Sequence, residues 1–281
     1  MVEGNRDTAY DPAALDETER RFWREIWDSV PPEVASEHGI ELKSFGPIQA
    51  SVVRDLPNAR MLNLVLGAAE ADAVEGGHLE SALVWAEAQD VNFYVPVSPK
   101  APAAEATEDL LQRRGYEHGY AWMKFVRDAS PPNMPEPDGV EVRELSRGEG
   151  EPLGRIGAAG FEMPPWAATL FSDLPGRPGW RCYVAVIDDE PQACAAMLIN
   201  DHVAEFGIAA TLESARGRGC QSALLHRRIV DAAEASCHTL FVETGERTAD
   251  RPSASYRNIL RAGFKEAYLR PNWQRAAKDG R

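Results

Sequence analysis

Apolar and polar residues follow two rhythms along this chain, a strand-like alternation and a helix-like spacing, and one order of these rhythms occurs twice. In the first half, VNFYVPV at residues 91–97 is rich in β-branched and aromatic side chains and predicts a strand. Residues 103–114 carry a helical spacing, and Gly115-Tyr116 opens an apolar segment over residues 120–126. In the second half, TLFVET at 239–244 predicts a strand and residues 253–262 a helix, and Gly263-Phe264 opens AYLRPNW. Identity between the two stretches is slight, so what repeats is the order of elements. Between them lies ASPPNMPEPD, residues 129–138, proline-rich and without period, which reads as a semi-extended linker. The expected organisation is a first domain over 1–128, the linker over 129–138 and a second domain over 139–281.

The first domain opens with Phe22, Trp23, Ile26 and Trp27 at helical spacing among charges, an amphipathic helix over 16–29 whose aromatic stripe is expected to pack. In the second domain EVREL predicts a strand, 148–159 a helix, and 164–179 an irregular stretch broken by prolines. Residues 182–187 alternate as a strand, Asp188-Asp189-Glu190-Pro191 reads as a turn, and 192–199 forms the hairpin partner. A third strand over 203–212 runs into SARGRGCQ and then a helix from Ser222 to about residue 235. In that helix Leu225, Ile229 and Ala232 share a face, and Arg227 and Arg228 fall off it. The fold class expected is α/β in the α+β sense: a mixed, mostly antiparallel twisted sheet flanked by helices, in two tandem domains.

Composition narrows the function. At 281 residues with 44% hydrophobic content, the chain has material for one large core or two ordinary ones. No apolar run approaches the roughly 18–20 residues of a membrane span, and the polar, acidic start lacks the pattern of a leader, so a cytoplasmic location is expected. A formal net charge of -14 argues against nucleic-acid and anionic-membrane partners and suits either plain solubility or a cationic substrate. The 4 cysteines lack zinc-site spacing and read as reduced, buried thiols, and the 6 histidines fall in no metal pattern. No Gly-x-Ser-x-Gly or His-Glu-x-x-His occurs, which leaves serine-hydrolase and zinc-protease readings unsupported.

The segment that carries chemistry is Arg216-Gly217-Arg218-Gly219-Cys220-Gln221, followed by Ser222, between a strand and a helix start. Helix N-termini present main-chain N–H groups without intrahelical acceptors, and glycine lets an oxygen come close to them. Arginines at 216, 218, 227 and 228 with no acid among them reverse the sign of an otherwise acidic chain and point to a phosphate ligand. Neither the Gly-x-x-x-x-Gly-Lys loop nor a three-glycine dinucleotide turn is present.

Arg216 and Gly219, with SYRNILRAGF further on, resemble the GCN5-related N-acetyltransferase (GNAT) family, whose cofactor loop reads Arg/Gln-x-x-Gly-x-Gly/Ala. The resemblance covers most of residues 140–273, and Gln221 departs from it by replacing a small residue. It implies acetyl-CoA as cofactor, with the coenzyme A pyrophosphate on Arg216–Ser222, the pantetheine on Ala209, Ala210 and Thr211, and Asn258 beside it. It also implies an oxyanion met by main-chain N–H near Ala210 or Thr211, and Glu205 as the base that deprotonates the amine. The family's general-acid tyrosine stands four residues before the Gly-Phe pair; here that position is Ile259, and Tyr256, one turn earlier, is the candidate replacement. Trp166, Phe171 and Trp180 are candidate acceptor contacts. No arginine-bearing counterpart of the loop exists in the first domain, where Glu75-Gly76-Gly77-His78 is acidic, so that domain reads as a degenerate copy. Three readings stand: transfer to a small amine, transfer to protein lysines or N-termini, and an acyl-CoA-binding sensor. The protein itself is expected to be a monomer or homodimer.

Overall fold

The computed structural model describes residues 10–132, 134–135, 137–248 and 253–275; Asn133 and Glu136 of the expected linker, and residues 1–9 of the acidic start, lie outside them. The first half runs α1 (Pro12–Trp27), α2 (Pro32–Glu37), β1 (Ile40–Phe45), β2 (Ile48–Val53), β3 (Leu64–Leu66), α3 (His78–Glu87), β4 (Val95–Pro96), α4 (Ala104–Arg113), β5 (Tyr116–His118) and β6 (Trp122–Asp128). The second runs β7 (Glu141–Leu145), α5 (Glu151–Gly160), α6 (Thr169–Ser172), β8 (Trp180–Ile187), β9 (Glu190–Asn200), β10 (Val203–Thr211), α7 (Cys220–Glu234), β11 (Thr239–Gly245), α8 (Ala254–Arg261), β12 (Lys265–Arg270) and β13 (Asn272–Arg275).

The central layer is a seven-stranded sheet of order β12-β6-β11-β10-β9-β8-β7. Its neighbours are antiparallel except β10 and β11, which run parallel. Strand β6 comes from the first half and lies between β11 and β12, and β13, at the end of the second half, lies between β4 and β5. The two halves therefore exchange their last strands. One cause is local: only Pro271 separates β12 from β13, and a hairpin reversal needs about two loop residues. The chain runs on into the other sheet.

Helix α1 starts two turns of logic at once: Asp11 caps it by accepting from the Ala13 N–H at 3.0 Å, and Pro12 supplies a fixed φ at the first position. Its stripe of Leu15, Phe22, Trp23, Ile26 and Trp27 is buried, and much of it packs onto the second half's sheet. Phe22 meets Trp180 of β8 at 4.8 Å between ring centroids. The hairpin between β8 and β9 turns on Asp188 and Asp189, both at positive φ (54° and 63°), the geometry of a two-residue primed turn. Helix α7 begins at Cys220, two residues earlier than the periodicity suggests. The strand expected over 91–97 shortens to Val95–Pro96.

Candidate functional site

The site begins with a fault in the sheet. Strands β10 and β11 pair in register from Val203–Thr239 to Phe206–Val242, and the pairing stops there. On its other side β10 carries a bulge against β9 between Gly207 and Ala210, with Ile208 at φ 47°. A left-handed β-branched residue is strained, and packing holds it: the Ile208 side chain is buried in the core. Gly207 is required because the ring of Phe22 lies 2.3 Å from where a Cβ would stand. The bulge swings residues 209–211 away from β11, and two cavities open around the gap.

The first cavity, about 520 Å³, lies under the start of α7. It is lined by Ala209, Ala210 and Thr211 on β10, by Arg216, Gly217, Gly219, Cys220, Gln221 and Ser222 at the turn, and by Asn258 on α8. Gly217 and Gly219 adopt φ of 80° and 90°, which only glycine adopts readily, and the Ala223 N–H is the first to reach back, to the Gly219 carbonyl at 3.0 Å. Among the described residues no main-chain acceptor takes the N–H groups of Cys220, Gln221 or Ser222, and the first turn of α7 carries no acid. The turn is thus a concave array of donors at the positive end of a 15-residue helix. Arg218, expected in this group, points elsewhere: it is exposed and pairs with Asp188 at 3.2 Å.

Gln221 has a structural role that accounts for its size. It donates to Ser255 Oγ at 2.9 Å and accepts from Asn258 Nδ2 at 2.8 Å, fastening α7 to α8 beside the cavity. Arg261, which the sequence did not single out, also lines this cavity from α8.

The second cavity, about 440 Å³, lies across the gap and shares Ala209, Gln221, Arg228 and Ser255 with the first. Most of its aromatic lining comes from the first half: Phe22 and Trp23 of α1, Tyr94, Tyr120, and Trp122 of the exchanged β6. Phe171 of α6 joins them. Glu205 borders it, 4% exposed, with its Oε2 lacking a hydrogen-bond partner among the described residues. Beneath lies a buried cluster in which Lys124 pairs with Glu19 (2.8 Å) and Glu243 (2.9 Å), and Arg270 pairs with Glu19 and with Glu243 (3.0 Å). Two acids and two bases there neutralise one another. Burial pushes the Glu205 carboxyl well above the ordinary carboxylate range; Lys124 and Arg270 oppose the shift, and Glu19 and Glu243 add to it. Burial also opposes the charge of Glu19, but Arg270 and Lys124 prevail and hold it at about 2.

Besides Arg218, three expected residues stand apart from the cavities. Tyr256 turns toward β12, its hydroxyl donating to Glu266 Oε1 at 2.5 Å and its ring packed edge-on against Phe125 at 4.7 Å. Burial and the Glu266 bond push its phenol up to about 12. Its side chain lines neither cavity; Ile259 of the same helix faces the second one instead. Trp166 stacks on His38 at 3.7 Å, and Trp180 is buried with its Nε1 donating to Glu25 Oε2 at 2.6 Å, so neither borders the second cavity as expected. In both, an aromatic of the second half is drawn to the first half as packing. Arg228, read as lying off the apolar face of its helix, is in fact 1% exposed.

Comparison with solved structures places this architecture. A GCN5-related N-acetyltransferase from Kribbella flavida matches with TM-score 0.64 and 17% identity over 94% of this chain and 95% of that one. A tandem GNAT protein from the clavulanic acid biosynthesis pathway matches with TM-score 0.55 and 17% identity over 95% and 97%. A GNAT-family acetyltransferase from Colwellia psychrerythraea gives 0.55 and 14% over 96% and 99%. No family model and no curated protein matches the sequence. The chain has the GNAT-like fold, a mixed and mostly antiparallel sheet flanked by helices, extended over the full length of a tandem relative.

Proposed function

We propose that this protein is a coenzyme A-dependent N-acetyltransferase that acetylates the amine of a small molecule by direct transfer. One observation carries the reading: two cavities, of about 520 and 440 Å³, meet where β10 parts from β11. One has a phosphate-type cradle, the other an isolated buried carboxyl. The cradle fits coenzyme A on its own geometry, since the glycines leave the main chain bare and the N–H groups of residues 220–222 await an acceptor. In this reading residues 139–281 carry the cofactor, and the first half closes the acceptor side.

Arg216 and the N–H groups at the start of α7 hold the pyrophosphate, and the edge of β10 at Ala209, Ala210 and Thr211, freed from β11, holds the pantetheine. Bound acetyl-CoA supplies an activated acyl group; amine and thioester give amide and free thiol. Glu205 takes the proton of the ammonium, directly or through water, and burial raises the proton affinity with which it does so. The main-chain N–H groups near Ala210 and Thr211 are the donors for charge that develops on the carbonyl oxygen. Tyr256 has no part in this scheme. A thiol with a pKa of about 8.5 departs without much help from an acid.

The enclosing aromatics of α1 and β6 favour a small acceptor over a protein tail. Mass spectrometry of the purified chain with acetyl-CoA and a panel of small amines and lysine peptides tests this. Acetylated small amine is expected; acetylated peptide alone would assign the protein reading, and coenzyme A binding without product would assign the sensor.

A further inference from the structure

Arg228 has no role in the scheme above, yet it is one of the four residues, and the one charged residue among them, that line both cavities. The residue is 1% exposed. Nε donates to the Leu224 carbonyl and Nη1 to the Ala196 carbonyl, both at 3.1 Å, and the group lies 4.6 Å from the centre of the Phe206 ring. A guanidinium has five N–H donors, so most of this one's remain for another acceptor. Among the described residues no carboxylate lies within ion-pair distance of it, whereas Lys124 and Arg270, equally deep, each contact two. The groups that act on it electrostatically are Tyr183 and Cys194, and burial pushes both of those toward their neutral forms. Burial lowers its own pKa to about 10, which leaves it charged at neutral pH.

A desolvated cation costs free energy unless an anion or a set of acceptors meets it. Packing explains part of this arrangement, because the β10 bulge disturbs the ladder beside Ala196 and Arg228 serves that carbonyl. Packing does not explain why the side chain borders both cavities. Glu205, at the acceptor cavity, is absent from the charges that act on Arg228. The two groups are separate poles of one aromatic-walled space.

We infer that Arg228, bordering both cavities, binds a carboxylate carried by one of the two reactants. The guanidinium fork matches a carboxylate with two charge-assisted hydrogen bonds in a site shielded from water. That carboxylate is either on the acceptor, making it an amino acid with an apolar or aromatic body, or at the far end of a dicarboxylic acyl group on coenzyme A. The inference rests on the coenzyme A reading, and its test keeps the two apart.

Calorimetric titration of the full chain with coenzyme A comes first; absence of binding sinks the coenzyme A reading and this inference with it. Dissociation constants are then measured in two arms: succinyl-CoA against acetyl-CoA, and, on the chain saturated with coenzyme A, 3-phenylpropionate against 3-phenylpropanamide. The carboxylated member of one pair is expected to bind on the order of a hundredfold tighter, and the arm that responds names the reactant. Arg228→Gln is expected to bring that ratio close to one, and Arg228→Lys, which keeps the charge without the fork, to leave it in between. Coenzyme A binding with ratios near one in both arms overturns the inference, as does an Arg228→Gln protein that keeps the wild-type ratio. If Arg228→Gln does not fold, the wild-type ratios decide.

Discussion

Helices α3 and α7 start alike and end up with different capacities. Each follows a left-handed glycine, Gly77 at φ 68° and Gly219 at φ 90°. Ahead of both helices the chain meets its own donors, Gly76 N–H with Asp72 O and Gly77 N–H with Val74 O before α3, Arg216 N–H with Glu213 O and Arg218 N–H with Ala215 O before α7; within the first turn only α3 does so, Leu79 N–H reaching Ala73 O. Acidic Glu75 and Glu80 flank that start. The crevice beside β3 and β4 is filled as well, with Thr107 Oγ1 donating to Ala68 O at 2.8 Å and Arg20 paired with Glu70. About 20 Å³ remains there, against about 520 Å³ beneath α7. A shared skeleton therefore does not make a binding site. What separates the halves is one first-turn donor met by the chain at Leu79, the acids beside α3, and the space left for a ligand beneath α7.

Three experiments would break or sharpen that contrast. The largest effect is expected from Glu205→Gln, since the loss of a general base costs on the order of 10² to 10⁴ in kcat. The rise of wild-type rate with pH should flatten in the variant. Stability should move the other way: the folded chain binds the Glu205 proton more tightly than the unfolded one, so the wild type loses stability as pH rises above the ordinary carboxylate value of 4.5. The difference in melting temperature between variant and wild type should accordingly grow toward alkaline pH. A kcat and a pH profile equal to wild type would remove Glu205 from the chemistry.

Next in size is Lys124→Met, which asks whether the two halves are one folding unit. Glu19 and Lys124 come from the first half, Glu243 and Arg270 from the second. Removing one member of a buried ion cluster costs about 3–5 kcal/mol, and denaturant unfolding should show that loss in a single transition. Acid gives a second reading of the same cluster. Glu19 is held at about 2 against an ordinary 4.5, so the stability it contributes is complete above pH 4.5 and is lost as pH falls through that window toward 2.

The smallest effects come from a matched pair, Gly219→Ala and Gly77→Ala. Forcing a side chain into left-handed backbone costs about 1–2 kcal/mol at either helix. Only Gly219→Ala is expected to weaken coenzyme A binding, by on the order of tenfold, because its Cβ stands 3.0 Å from Pro137 at the edge of the cradle. Equal losses of affinity in the two variants would erase the distinction between the helices.

Much of this was legible in the sequence where short-range rules apply. The repeated order of elements, the β8–β9 hairpin and the placement of Arg216, Gly217 and Gly219 at a helix start all follow from periodicity, turn residues and glycine chemistry. What escaped depends on partners distant in the chain. The apolar segment over residues 120–126 names no neighbour, so the exchange of β6 and β13 was hidden. Arg228 follows Arg227 in a helix whose apolar face seemed complete without it, and only the bulge at Gly207 and Ala210 creates the carbonyl and the opening that draw it inward. Tyr256 was placed by analogy to one turn of helix, and Glu266 on the adjoining strand claims its hydroxyl. The three-stranded part of the first half, β1-β2-β3, left no pattern strong enough to be read.

The crossed last strands also fix an order of events during synthesis. The ribosome makes the chain from its N-terminus, yet the middle strand of the β4-β13-β5 sheet is residues 272–275. Until those residues emerge, the earlier-made half is held open with Val95, Pro96 and Tyr116 lacking their neighbour. A chain cut short before Asn272 would keep every strand of the seven-stranded sheet and leave the β4-β13-β5 sheet without its middle strand.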